Sequence, residues 1–162
     1  MGLVMIREAT IHEAPTIRSF LRLMVEEMAS LGGYPATDDE EQWTRVEQSI
    51  RDEIGRRDYL FLLASLADQP ETQIGFLAAQ VEMADPVFEP KRILHISAVY
   101  VLESHRRQGI GQALLKAALE WGSKVGCVVA ELNTLVRNPA RFLYEKAGFR
   151  EFEVQMTHKL SE

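Results

Sequence analysis

Apolar residues recur along this chain with two spacings, and the switches between them mark its elements. Leu3 to Arg7, a short apolar run, reads as a first strand. Thr10-Ile11-His12-Glu13 has the form of a capping box, and Pro15 suits the first turn of the helix that follows. Ile17, Phe20, Leu21, Met24, Val25 and Met28 then recur at helical spacing, so a helix runs to about Ser30. Gly32-Gly33-Tyr34-Pro35 breaks it. After the acidic run Asp38 to Glu41, Trp43, Val46, Ile50 and Ile54 mark a second amphipathic helix. Tyr59 to Ala67 and Gln73 to Met83 read as strands joined by a turn around Asp68-Gln69-Pro70.

Ala84 to Lys91, with two prolines, reads as a loop, and Ile93 to Val101 as a longer strand. The polar, basic turn Glu103 to Gln108 leads into Gly109-Ile110-Gly111, which opens a helix with Ile110, Leu114, Ala117, Ala118, Trp121 and Val125 on its apolar face. Gly126 ends that helix. Cys127 to Leu132 is apolar apart from Glu131, the pattern of a strand buried on both faces. Asn138 and Pro139 can start one more helix, with Gly148 just past its end, and Phe152 to Leu160 alternates as a closing strand. The order β-α-α-β-β-β-α-β-α-β predicts a mixed α/β sandwich.

Composition narrows the function. The 162 residues, 46% hydrophobic and 26% charged, suit one domain spanning 1–162 with its own core. No apolar run approaches the roughly 18 residues of a membrane span, and Met1 to Arg7 lacks a basic leader or a cleavage site, so no signal peptide is read. Cys127 is the only cysteine, which excludes an internal disulfide and a multi-cysteine zinc site and fits a reducing cytoplasm. Acids outnumber bases 24 to 18, for a formal charge of −6, a poor balance for nucleic-acid binding. It tolerates a cationic substrate.

The chemistry concentrates in Arg106-Arg107-Gln108-Gly109-Ile110-Gly111, placed between a strand and a helix. A helix start leaves N–H groups unpaired and carries partial positive charge. Glycines let those groups converge on a phosphate, and two arginines add positive charge. The bland alternative is a tight turn on a basic patch. No Walker A loop fits. A dinucleotide fingerprint would need glycine where Leu114 stands and a shorter turn than the about seven residues between Val101 and Gly109, although Glu131 lies where a ribose-binding acid would be.

Arg106-x-x-Gly109-x-Gly111 resembles the acyl-CoA pyrophosphate motif of the GNAT superfamily of acetyl-CoA-dependent N-acetyltransferases. The run Asn138-Pro139-Ala140-Arg141-Phe142-Leu143-Tyr144-Glu145-Lys146-Ala147-Gly148-Phe149 resembles that family's second signature. The element order matches as well. The resemblance implies a GNAT-like mixed, mostly antiparallel central sheet flanked by helices, with acetyl-CoA as co-substrate. It implies that the strand before the loop bulges and pairs with the pantetheine arm through Val99, Tyr100 and Val101, the Val99 N–H polarising the thioester carbonyl. Arg106, Arg107, Gln108, Gly109, Ile110, Gly111 and Gln112 would hold the pyrophosphate, Asn138 would touch the cofactor arm, and Tyr144 would protonate the departing thiolate.

Several relatives place a glutamate or histidine base where His95 stands, and simple alternation sets Ile93, His95, Ser97 and Val99 on one face. A histidine satisfied within the sheet is the competing reading. His12, His105 and His158 show no metal-ligand spacing. The resemblance places the acceptor cleft around Leu31 to Glu41, where Tyr34 offers a wall. Asp38, Asp39, Glu40 and Glu41 would attract a cation or simply start a helix. Polyamines, aminoglycoside-like drugs, amino acids and protein amino groups all fit an amine acceptor. A catalytically silent acyl-CoA-binding regulatory domain is the alternative from another class, and a homodimer through the C-terminal strands follows by analogy.

Overall fold

A computed structural model describes residues 2–89 and 91–161. Met1, where the N-terminal reading begins, Pro90 in the proline-containing loop, and Glu162 at the end of the proposed domain lie outside the described residues. Five strands form one sheet in chain order: β1 (Val4–Glu8), β2 (Tyr59–Leu66), β3 (Gln69–Met83), β4 (Arg92–Val101) and β5 (Val129–Leu132). The first three junctions are antiparallel and β4–β5 is parallel. Helices α1 (Ala14–Ser30) and α2 (Glu40–Glu53) lie between β1 and β2, α3 (Ile110–Lys124) between β4 and β5, and α4 (Arg141–Lys146) after β5. The fold is a mixed, mostly antiparallel sheet flanked by helices.

Alternation along the central strands builds two cores. Leu60, Leu62 and Ala64 of β2, with Leu77, Ala79, Leu94 and Ile96, pack against Ile110, Leu114, Leu115 and Ala118 of α3. The intervening Phe61 and Leu63, with Phe76, Ala78 and Ala98, face Ala14, Ile17, Phe20 and Ile50 of α1 and α2. Because both faces are covered, β2 carries a near-continuous apolar run, as sandwiched strands do. The capping box forms ahead of α1: the Thr10 N–H donates to the Glu13 carboxylate at 2.8 Å, and Arg7 donates to both of its oxygens.

Two expectations are corrected. The strand expected over Cys127 to Leu132 and buried on both faces is the four-residue edge strand β5, with Val128 71% exposed. It ends the sheet, so one edge has no strand neighbour among the described residues. The strand expected over Phe152 to Leu160 does not form. Residues 150–161 hold no strand, and Phe152, Val154, Met156 and Leu160 are exposed. Their alternation is real, but the only edge beside them among the described residues is the four-residue β5, too short to pair with a strand of that length.

Candidate active site

The site begins with a defect in β4. Ala98 pairs with Ala78 and Ile96 with Ala79, so Ser97 is an extra residue with no opposite number, a β-bulge. Its hydroxyl donates to the Ala78 carbonyl at 3.2 Å. The bulge resets the alternation. Leu94 and Ile96 point to the α3 side, Ala98 to the α1 side, and Val99 to the α3 side again. The expected common face of Ile93, His95, Ser97 and Val99 is therefore corrected: His95 and Val99 lie on opposite faces.

Beyond the bulge β4 runs on past the end of β5. Parallel pairing with β5 stops at Ile96–Leu132, while β4 continues beside β3 to Val101. The Leu102 N–H donates to the Ile74 carbonyl on β3. Main-chain groups alternate edges along a strand, so Tyr100 also addresses β3, whereas Val99 and Val101 face the open edge. The result is a stretch of β4 edge without a strand neighbour among the described residues beyond the end of β5, a slot bordered by the main chain of Val99 and Val101.

The loop after β4 lies at the end of this slot. Arg107 (φ 60°) and Gly109 (φ 81°) both have positive φ, the backbone turn from which anion-binding nests are built. For Arg107 that conformation is strained, at a cost of about 1 kcal/mol or more. In α3 the Ala113 N–H reaches back to the Gly109 carbonyl at 3.0 Å. Among the described residues none of the N–H groups from Arg107 to Gln112 donates to a backbone carbonyl. The helix dipole adds to the positive field there, and Arg107 makes no ion pair with a described residue.

Gly111 has a packing role of its own. A Cβ there would stand 2.8 Å from Cδ2 of Leu143, so α3 and α4 touch at this residue. The Gln112 amide donates to the Leu143 carbonyl at 3.2 Å, tying the same two helices. Arg106 turns away from the loop. It reaches the Val101 carbonyl and both oxygens of Glu27 on α1, and stacks over Tyr100. The Glu27 carboxylate holds the Arg106 guanidinium above its ordinary range.

On α4, Tyr144 is buried in the α3-side core, edge-on to Phe149 at 6.3 Å between ring centres. Burial pushes its phenol above the ordinary value near 10, so it stays protonated at neutral pH. Burial likewise raises the Tyr100 phenol, which tilts against Phe20 on the α1 side. Asn138 spends its side chain on the protein: its carbonyl accepts the Ala140 N–H at 2.9 Å, and its amide donates to Thr134 Oγ1 and, across to α1, to the Met28 sulfur.

His95 sits half-buried on β4, with Gln80 and Glu131 as its cross-strand neighbours. Alternation places these three side chains on the α1 face of the sheet, at the closed end of the slot. The acidic run is mostly committed elsewhere. Asp39 caps α2 by accepting the Glu41 N–H, Glu40 pairs with Arg22, and Glu41 with Arg45. Tyr34 is exposed. Glu27 carried no sequence signal, because it acts through a partner 79 residues away in the chain.

The site thus joins an open stretch of β4 edge, a run of backbone N–H groups at the start of α3 without carbonyl partners among the described residues, and a buried phenol on α4. The model of the acetyltransferase (GNAT) family matches residues 22–149, and the chain belongs to that family. It is 42% identical over 62 residues to an N-alpha-acetyltransferase of Sulfurisphaera tokodaii, covering 37% of each chain. The chain spans 36–37% of the length of the curated relatives it matches. Its fold is similar to that of a mutant of protein BH1408 from Bacillus halodurans (TM-score 0.82, 19% identity, 97% of this chain and 99% of that one). It is also similar to the aminoglycoside N-acetyltransferase AAC(6')-Iy in complex with CoA (TM-score 0.75, 17% identity, 98% and 95%). No helix among the described residues is long and apolar enough to cross a membrane.

Proposed function

We propose that the chain is a single N-acetyltransferase domain that moves the acetyl group of acetyl-CoA to a primary amine. The observation that carries this reading is the slot between β4 and β5, with the free amide cradle of residues 107–112 at its end. A surface groove of about 400 Å³ beside Gln112 and Lys116 adjoins the cradle and leaves room for the nucleotide end of the donor. Acetyl-CoA supplies an activated acyl group as its thioester. The main chain of Val99 and Val101 pairs with the extended arm, while that of Tyr100 between them is turned to β3, and the Val99 N–H, on the open edge, stabilises charge on the carbonyl oxygen. Arg107, Gln108, Gly109, Ile110, Gly111 and Gln112 hold the pyrophosphate, with Asn138 beside the arm.

With Tyr144 on the α3 side and His95 on the α1 side, donor and acceptor approach from opposite faces, which favours direct attack in a ternary complex. Tyr144, kept neutral by burial, stands on the α3 side to protonate the leaving thiolate. His95, on the α1 side, takes the proton the amine must lose, directly or through a water. No covalent enzyme intermediate is required. A cytoplasmic location and a homodimer complete the proposal.

Isothermal titration with acetyl-CoA, NAD and ATP tests it. Saturable binding of acetyl-CoA alone supports the donor and licenses an acceptor screen beginning with polyamines. Binding of NAD in its place would make the cradle a dinucleotide site. Acetyl-CoA binding without turnover across that screen would favour the silent regulatory domain.

A further inference from the structure

Arg106 opens the loop motif, yet its guanidinium is occupied by the protein. Nε donates to the Val101 carbonyl at 2.8 Å, and the two terminal nitrogens donate to the two oxygens of Glu27 at 2.8 and 2.7 Å. Its plane stacks over the Tyr100 ring at 5.2 Å. This is a fork-to-fork pair, with the third donor direction and the cation's face also satisfied. Both partners are about two-thirds buried, with 34% and 30% of the side chains exposed, so solvent screens the pair less than a surface one.

Its partner sits at a sensitive place. Glu27 is in the last turn of α1, next to Met28. The Met28 sulfur faces the Asn138 amide at 3.6 Å, and its carbonyl accepts the Gly33 N–H at 2.9 Å. The last turn of α1 is thus pinned on both sides of the slot: to β4 through Arg106, and to the β5–α4 connection through Asn138. That turn sets the direction in which residues 31–39 leave the helix.

We infer that Arg106 is a positioning residue, not a phosphate ligand: with Glu27 it couples the anion cradle to the end of α1, so that filling the cradle orders the wall on the acceptor side. The inference rests on the acetyl-CoA reading for its ligand, but the clamp itself stands on the geometry alone. A phosphate would have to break a bidentate carboxylate pair to recruit Arg106. Arg107 is already free for that purpose.

Hydrogen-exchange mass spectrometry tests the clamp on wild type, Glu27→Gln, Arg106→Lys and the double variant, each with and without acetyl-CoA. Calorimetry on the same four proteins gives the affinities. Without ligand, exchange over residues 27–39 rises roughly tenfold in either single variant and no further in the double, because one shared interaction is lost. With acetyl-CoA, both single variants bind within about threefold of wild type and keep protection over residues 107–112. The added protection over residues 27–39, present in wild type, is lost in them. Weakening of more than about tenfold in Arg106→Lys, together with tighter binding in Glu27→Gln, would make Arg106 a phosphate ligand and overturn the inference. Additive effects in the double variant, or no ligand-induced protection over residues 27–39 in wild type, also overturn it. Failure of wild type to bind acetyl-CoA refutes the donor assignment and the coupling to it, while the ligand-free exchange separately decides whether the clamp exists.

Discussion

A phenol enclosed by apolar side chains gives up its proton reluctantly, and that reluctance suits Tyr144 to its proposed task. The shift is upward and comes from burial alone. A thiolate is a fair leaving group even unassisted, so the contribution belongs at the low end of acid catalysis. Tyr144→Phe keeps the ring and its contact with Phe149, and is expected to lower kcat about 10- to 100-fold. Acetyl-CoA affinity should change by less than about threefold, measured by calorimetry beside steady-state rates. Equal losses in both would make the tyrosine a packing residue. Gly109, Arg107 and Tyr144 were visible in the sequence because their constraints are local: left-handed backbone, a helix start, a short motif. Arg106 shows the limit. Its motif position was legible, but Glu27 lies 79 residues away, and no local pattern marks which acid on a helix surface will meet it.

At the scale of elements, periodicity located α1, α2, α3 and the first four strands, because each covers a core face with the matching repeat; α4 was marked only by its flanking Asn138 and Gly148, and it begins at Arg141, not at Pro139 as expected. Periodicity failed at β4 by a single residue. An alternation argument assumes an unbroken ladder, and nothing in Ile96-Ser97-Ala98 announces that Ser97 will be left unpaired. The junction from β1 to α1 was more legible, since a capping box is a spacing rule. There the Arg7 guanidinium, followed by the Thr10 N–H, holds the Glu13 carboxyl down at about 2, against an unfolded value near 4.5. A depressed carboxylate contributes stability above its unfolded pKa and loses it as pH falls through the folded one. Glu13→Gln is therefore expected to cost about 1 kcal/mol at pH 7, a figure discounted for the pair's partial exposure. The deficit should shrink between pH 5 and pH 2. Urea unfolding at pH 7, 4 and 2.5 checks this, and a deficit independent of pH would mean the charge contributes nothing.

For the whole molecule the open question is where the sheet ends. β5 presents a free edge with Val128 and Val129 exposed, and the segment after α4 carries the one alternating pattern left without an element. Phe152, Val154, Met156 and Leu160, between 80% and 93% exposed, would each gain about 1.5–3 kcal/mol from full burial. Fixing about ten residues as a strand costs on the order of 1–2 kcal/mol each, so one tail laid on a four-residue edge gains little net. Two tails exchanged across a two-fold axis bury those side chains against each other as well as against the edge, and the balance then favours association. The proposed homodimer predicts a dimer mass by light scattering at micromolar concentration. A chain ending at Arg150 should run as a folded monomer with unchanged acetyl-CoA affinity, since the cradle and slot lie outside the tail. The ion pair from Arg141 to Glu151 fixes only where the tail leaves α4, so its loss should not unfold that helix. If the full chain stays monomeric up to about a hundred micromolar, roughly 5.5 kcal/mol of standard free energy, the apolar alternation is not an interface between copies. The exposed tail must then be covered by something other than a second copy, or fold back on its own β5 edge.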